Sequence, residues 1–185
     1  DITRNPLVAL YFACESNYDN YGEVVLIAAE ENNIKYPQSD TVSVLSSLPL
    51  FSRRNQKEIR DFAVSSKNDD EFNEKIPRLH HEIRLEKPAF LPEIKKEEVI
   101  DSFIVYAVKN NNRIVKQDGA FIICGLIENS DALNKYRLKE DEKRVILLID
   151  NKEQILKSLD NLSINKATLF PEIECVTEYI KNKYS

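Results

Sequence analysis

Two short polar stretches carry most of the side chains in this chain that could do chemistry. The first is Asp1-Ile2-Thr3-Arg4-Asn5. Its Asp1, Thr3 and Asn5 place a carboxylate, a hydroxyl and an amide just ahead of Pro6, where a helix can begin. Helix N-termini favour anions through free N–H groups and the helix dipole, so these three are ligand-binding candidates. The second is Arg113-Ile114-Val115-Lys116-Gln117-Asp118. Arg113, Lys116 and Gln117 are of the types that hold a phosphorylated or nucleotide-like ligand. Gln117 and Asp118 are the catalytic candidates, although glutamine cannot act as a general base and Asp118 can do so only if it points into the site. A plainer use stands beside each of these roles. Asp1 and Thr3 can satisfy backbone groups, Arg113 can pair with a carboxylate, and Gln117 and Asp118 can turn the chain before Gly119.

Other chemistries find little material. The only histidines are the adjacent pair His80 and His81, and Cys14, Cys124 and Cys175 are far apart. No metal-ligand spacing results, so no metal is expected, and no Ser-His-Asp or Cys-His set is evident. The histidines lie in a charged helical segment and should be solvated. Each cysteine sits in apolar surroundings, which points to free, buried thiols in a reducing compartment, hence the cytoplasm. Only three glycines occur, with no Gly-x-Gly-x-x-Gly and no Walker-type lysine motif. A net charge of −5 argues against a nucleic-acid partner. Apolar runs such as Val145–Ile149 fall far short of the roughly 18 residues that span a bilayer, so no membrane is expected.

The elements that position the candidates follow from periodicity and caps. At 185 residues with 42% hydrophobic content, the chain can bury a core as one domain. Asn5 and Pro6 suit a helix start, and Leu7 to Cys14 has no charge. A helix apolar all round is normally buried on all sides. Residues 23–29 and 120–127 read as strands buried on both faces, with further strands at 99–108 and 143–150. Between the first two strands of the chain, residues 38–86 form an α-helical insertion: a helix capped by Ser39 or Asp40, a second at 53–64, and a third at 71–86. The third has Phe72, Ile76, Leu79 and Ile83 on its apolar side and is kinked or split by Pro77. Gly119 suits the end of a helical turn at 113–118. A short helix at 132–136, one at 152–162 capped by Asp150 or Asn151, and a last one at 172–182 complete the series. The fold class is α+β, with about four mostly buried strands in a central sheet packed by helices.

Three stretches together resemble the FRG domain, a family named for Phe, Arg and Gly near its N-terminus. They are Asp1-Ile-Thr-Arg-Asn-Pro-Leu-Val-Ala-Leu-Tyr-Phe-Ala, Asn112-Arg-Ile-Val-Lys-Gln-Asp-Gly-Ala-Phe121, and Ala167-Thr-Leu-Phe-Pro-Glu-Ile173. The resemblance covers nearly the whole chain. It implies that an upstream segment bearing the Phe-Arg-Gly residues is missing before Asp1, as an apolar helix at an extreme N-terminus also suggests. It further implies a bacterial or phage setting, in defence or mobile elements, with no settled activity. Three functional readings stay open. One is a module whose cleft holds a small nucleotide-like or phosphorylated ligand between residues 1–5 and 113–117. Another is an enzyme laid out like the ADP-ribosyltransferases and using NAD as cofactor. The third is a structural domain with a protein partner.

Overall fold

The computed structural model describes residues 1–128, 132, 134–141 and 143–184, with positions 182 and 184 as backbone only. In chain order, β1 (Ile2–Thr3) leads into α1 (Pro6–Cys14), followed by β2 (Gly22–Val25) and β3 (Ile34–Lys35). Four helices come next: α2 (Asp40–Ser47), α3 (Arg53–Ser65), α4 (Asp69–Lys75) and α5 (Pro77–Glu86). A short α6 (Lys96–Val99) precedes β4 (Ser102–Tyr106), α7 (Asn112–Gln117) and β5 (Gly119–Cys124). The last part holds β6 (Lys139–Glu140), β7 (Lys143–Arg144), β8 (Ile146–Ile149), α8 (Lys152–Asn161), α9 (Lys166–Leu169) and α10 (Ile173–Tyr184). With 49% helix, 16% strand and a mixed four-stranded sheet packed by helices, the fold is α+β.

The chain divides into two compact units, where the sequence shows no linker. One holds Asp1–Ala28, Ala107–Ala120 and Tyr136–Ser185; the other holds Ala29–Tyr106 and Phe121–Lys135. In the first unit β1 pairs antiparallel with the start of β5, Ile2 opposite Ala120 and Thr3 opposite Gly119. In the second, β3 and β4 are parallel, Ile34 opposite Ile104. Parallel neighbours need a long crossover, and the helical stretch expected at 38–86 supplies it as α2 to α5.

The second unit has its own core, in which Val44, Leu45, Phe72, Ile76, Leu79 and Ile83 are all buried. The last four keep one apolar stripe across the break that Pro77 imposes. Pro77 cannot follow a helical residue comfortably, and Ile76 leaves the helical region at φ −119°, ψ 42°. Caps begin the helices where local chemistry favours them: Ser39 accepts from the Val42 N–H and Asn68 from the Glu71 N–H. Asn73 ties the break to the following connector. Its Nδ2 donates to the Asp69 and Ile94 carbonyls, and its Oδ1 accepts from the Ile94 N–H and from His80 Nε2 at 2.9 Å.

His80 is therefore buried, not solvated. It lies four residues after Ile76 and three before Ile83, on the inward face of α5, whereas His81 is exposed. Other expectations are also corrected. Helix α1 buries Val8, Tyr11 and Cys14 but leaves Leu7 and Phe12 each 38% exposed. Strand β2 pairs antiparallel with β8 in a separate two-stranded sheet, so its second face stays uncovered and Val25 is exposed. Strand β5 leaves Phe121 and Cys124 exposed, and Cys175 is half-buried, so only Cys14 is a buried thiol. The short helix expected at 132–136 includes a position outside the described residues, and its described neighbours form turns.

The first unit packs Val8, Tyr11, Leu159 and Leu169 around α1, α8 and α9. Lys152, at the start of α8, is buried and donates to the Ser16 and Asn17 carbonyls at 2.9 and 3.1 Å. It thereby places a cation just past the C-terminal end of α1, where the dipole favours one. Gly22 lets β2 approach α1, since a Cβ there would lie 2.3 Å from the Ala13 carbonyl oxygen.

Two outcomes follow. Gly22→Ala should destabilise the chain by about 1–3 kcal/mol, because backbone rather than a movable side chain blocks the new methyl; unchanged urea unfolding would refute the close approach. Burial, and then the Arg84 charge, lower the His80 pKa from its ordinary 6.5. The unfolded chain then takes up the proton first, so this contribution is intact above about pH 6.5 and is lost as pH falls below it. His80→Gln should flatten that acid-side loss in denaturation curves taken across about pH 5 to 7.5.

Candidate functional site

The residues proposed from sequence all lie in the first unit, and the structure brings most of them into one set of contacts. Asn5 caps α1: its Oδ1 accepts from the Leu7 N–H at 3.0 Å, and its carbonyl accepts from the Val8 and Ala9 N–H groups at 3.1 and 3.2 Å. Pro6 has no N–H. The donors of the first turn are thus used internally, which removes the orphan groups that a helix N-terminus would otherwise offer to an anion.

Thr3 joins the two polar stretches. Its Oγ1 donates to the Gln117 carbonyl at 2.7 Å and accepts from the Asn5 N–H at 3.1 Å. Beside it, the Arg4 N–H donates to the Asp118 carbonyl at 3.1 Å, and Arg4 Nη2 meets Asp118 Oδ1 at 2.7 Å. Lys109 Nζ lies 3.6 Å from the same carboxylate oxygen. The hydrogen bond from Arg4, with the charges of Arg4 and Lys109, holds the Asp118 carboxyl below its usual range although burial opposes this.

Asp118 also ends α7. It adopts φ 44°, ψ 47°, the left-handed conformation, and its N–H returns to the carbonyls of Ile114 and Val115. The glycine expected in that role, Gly119, instead opens β5, and its φ is not positive. Asp is among the few residues with a side chain that tolerates this region, so one residue both turns the chain and receives Arg4.

Gln117 turns to the third stretch. Its Nε2 donates to the Leu169 carbonyl at 3.1 Å. Arg113 places its guanidinium 4.7 Å from the ring centre of Phe170, and Phe170 meets Phe12 edge-to-face at 5.9 Å. The three sequence stretches 1–13, 112–121 and 167–173 thus touch one another. The α9 turn that presents Leu169 and Phe170 is fixed by a capping box between Asn165 and Thr168.

The candidates separate into two groups. Thr3, Asn5, Gln117 and Asp118 have their polar atoms engaged within the fold. Asp1, Arg113 and Lys116 are exposed. Arg4, Phe12 and Phe170 belong to the site, yet sequence reasoning did not single them out as site residues. Phe170 lies in the third stretch, 167–173, but nothing local marks it as the platform for Arg113. Chemically, an ionised Asp118 with a lowered pKa is a weak base, and Gln117 has no base to offer. The exposed cations can attract an anion.

Among the described residues no group of three or more His, Cys, Asp or Glu could hold a metal, and no helix is long and apolar enough to cross a membrane. Comparison with protein-family models gives no match, nor does comparison with curated proteins or with solved structures.

Thr3→Val should cost about 1–3 kcal/mol by leaving the Asn5 N–H and the Gln117 carbonyl without their partner, and Thr3→Ser should recover most of it in thermal unfolding. Gly119→Ala should be tolerated, since the new methyl meets Ile114 at 3.7 Å, an ordinary contact. A large loss there would contradict the assignment of the turn to Asp118.

Proposed function

We propose that this chain is an FRG-like module that binds a nucleotide-like or phosphate-bearing ligand without turning it over. In this reading it works in the cytoplasm of a bacterium, within a defence or mobile-element system as that family's setting implies. The observation that carries it is Arg113, exposed and with its guanidinium over the Phe170 ring, with Lys116 exposed three residues further along α7. A guanidinium held over a ring by cation–π attraction is restrained there, and its N–H groups suit the capture of phosphate oxygens. Residues three apart on a helix share a face, so Lys116 adds its charge on the same side.

The engaged residues give this surface a rigid base. Gln117 is held by Leu169 and Asp118 by Arg4, so the strip that carries Arg113 and Lys116 is anchored at its end. The same engagements count against the NAD-using enzyme, because the two catalytic candidates are committed elsewhere. A cytoplasmic setting is supported by three free cysteines, one of them exposed.

The test is titration with a fluorescent adenine nucleotide, with inorganic phosphate as competitor. Saturable binding is expected, and Arg113→Ala and Lys116→Ala should each weaken it about tenfold or more, as loss of a charge-assisted hydrogen bond does. Binding unaffected by both changes would overturn the site. Release of nicotinamide from NAD would overturn the claim that the module does not turn its ligand over. Neither binding nor turnover would leave the protein-interaction domain.

A further inference from the structure

Strand β8 pairs with β2 on one side and with no other strand among the described residues. Its residues, Ile146-Leu147-Leu148-Ile149, are uncharged and apolar. Leu147 and Leu148 point to opposite faces of the strand, and they are 47% and 70% exposed. An apolar edge strand open on both faces is the kind that proteins normally cover or blunt with charge. A two-stranded ribbon is also marginal by itself, whereas three or more strands are independently stable.

The flanks indicate what would cover this edge. Lys143 and Arg144 stand before the apolar run and Asp150 stands after it, with Lys143 and Asp150 both exposed. Antiparallel pairing of the run with a copy of itself sets the basic end of each strand beside the acidic end of the other. Parallel pairing would set like charges together, which destabilises cross-strand neighbours. The run is thus self-complementary in the one arrangement that a two-fold axis produces.

We propose that the open edge of β8 pairs antiparallel with β8 of a second copy, making a continuous four-stranded sheet, β2-β8-β8-β2, across a symmetric dimer. The interface is small, and its affinity falls in the micromolar range. Sedimentation equilibrium from about 5 to about 500 µM should show a reversible monomer–dimer equilibrium. Asp150→Lys should weaken it at least tenfold, and adding Lys143→Asp to that variant should restore much of it, because the charges are then exchanged rather than lost. Circular dichroism confirms that each variant is folded. A chain that stays monomeric throughout this range overturns the proposal and assigns the edge to some other occupant. Dimerisation indifferent to both charge changes overturns it as well.

Discussion

The backbone of Thr3 and Arg4 finds its partners far away in sequence, and much of the first unit depends on how that is done. Thr3 and Arg4 lie ahead of α1, where neither helix nor turn provides partners. They find them at residues 117 and 118, more than a hundred positions on. The Thr3 hydroxyl bridges the Asn5 N–H and the Gln117 carbonyl, the Arg4 N–H meets the Asp118 carbonyl, and Ile2 and Thr3 lie opposite Ala120 and Gly119. This polar seam joins segments that hydrophobic burial alone would bring near one another without register. Burial is proportional to area and indifferent to direction, whereas hydrogen bonds fix which residue stands opposite which.

The seam also explains why the site reads as it does. Residue types that suit ligand binding are the same types that suit caps, turns and bridges, because both tasks need short polar side chains beside backbone. Here Thr3, Asn5, Gln117 and Asp118 are engaged by the fold. That engagement leaves Arg113 and Lys116 as the cations turned outward, on a helix whose end is tied to Leu169 through Gln117 and to Arg4 through Asp118. A binding surface on an anchored base loses less conformational freedom on capture than one on a free loop. In the second unit a single side chain plays a comparable part. Asn73 uses both ends of its amide to hold the α4–α5 break against the connector at Ile94 and against His80.

The features that could be read from the sequence are local. Asn5-Pro6 and Ser39 start helices where they were expected, since a cap bonds to N–H groups two or three residues away. Pro77 splits a helix for the same reason: its effect falls on the residue before it and on the turn behind it. The stripe Phe72, Ile76, Leu79, Ile83 marked a core face because its spacing matches the helix period. That same stripe, followed one position further, would have placed His80 inside; its polarity and charged neighbours hid this, and a partner 2.9 Å away made burial affordable.

The α+β class, the helical stretch at 38–86, most helix starts and the break at Pro77 could be read along the chain, since all rest on interactions within a few residues. Which strand pairs with which came from long-range packing instead. Residues 23–29 and 143–150 read as strands from their apolar runs, but apolar content does not name a partner, and the strands that form, 22–25 and 146–149, make an open two-stranded ribbon. Long-range packing also decided that β1 exists, since two residues show no periodicity. It assigned the left-handed turn to Asp118 rather than Gly119: the Asp118 N–H closes α7, while Gly119 already stands opposite Thr3 in the β1–β5 pairing. Whether Thr3, Asn5 and Gln117 meet a ligand or the chain itself depends on long-range hydrogen bonds, and no pattern along the sequence encodes the distance between atoms a hundred residues apart.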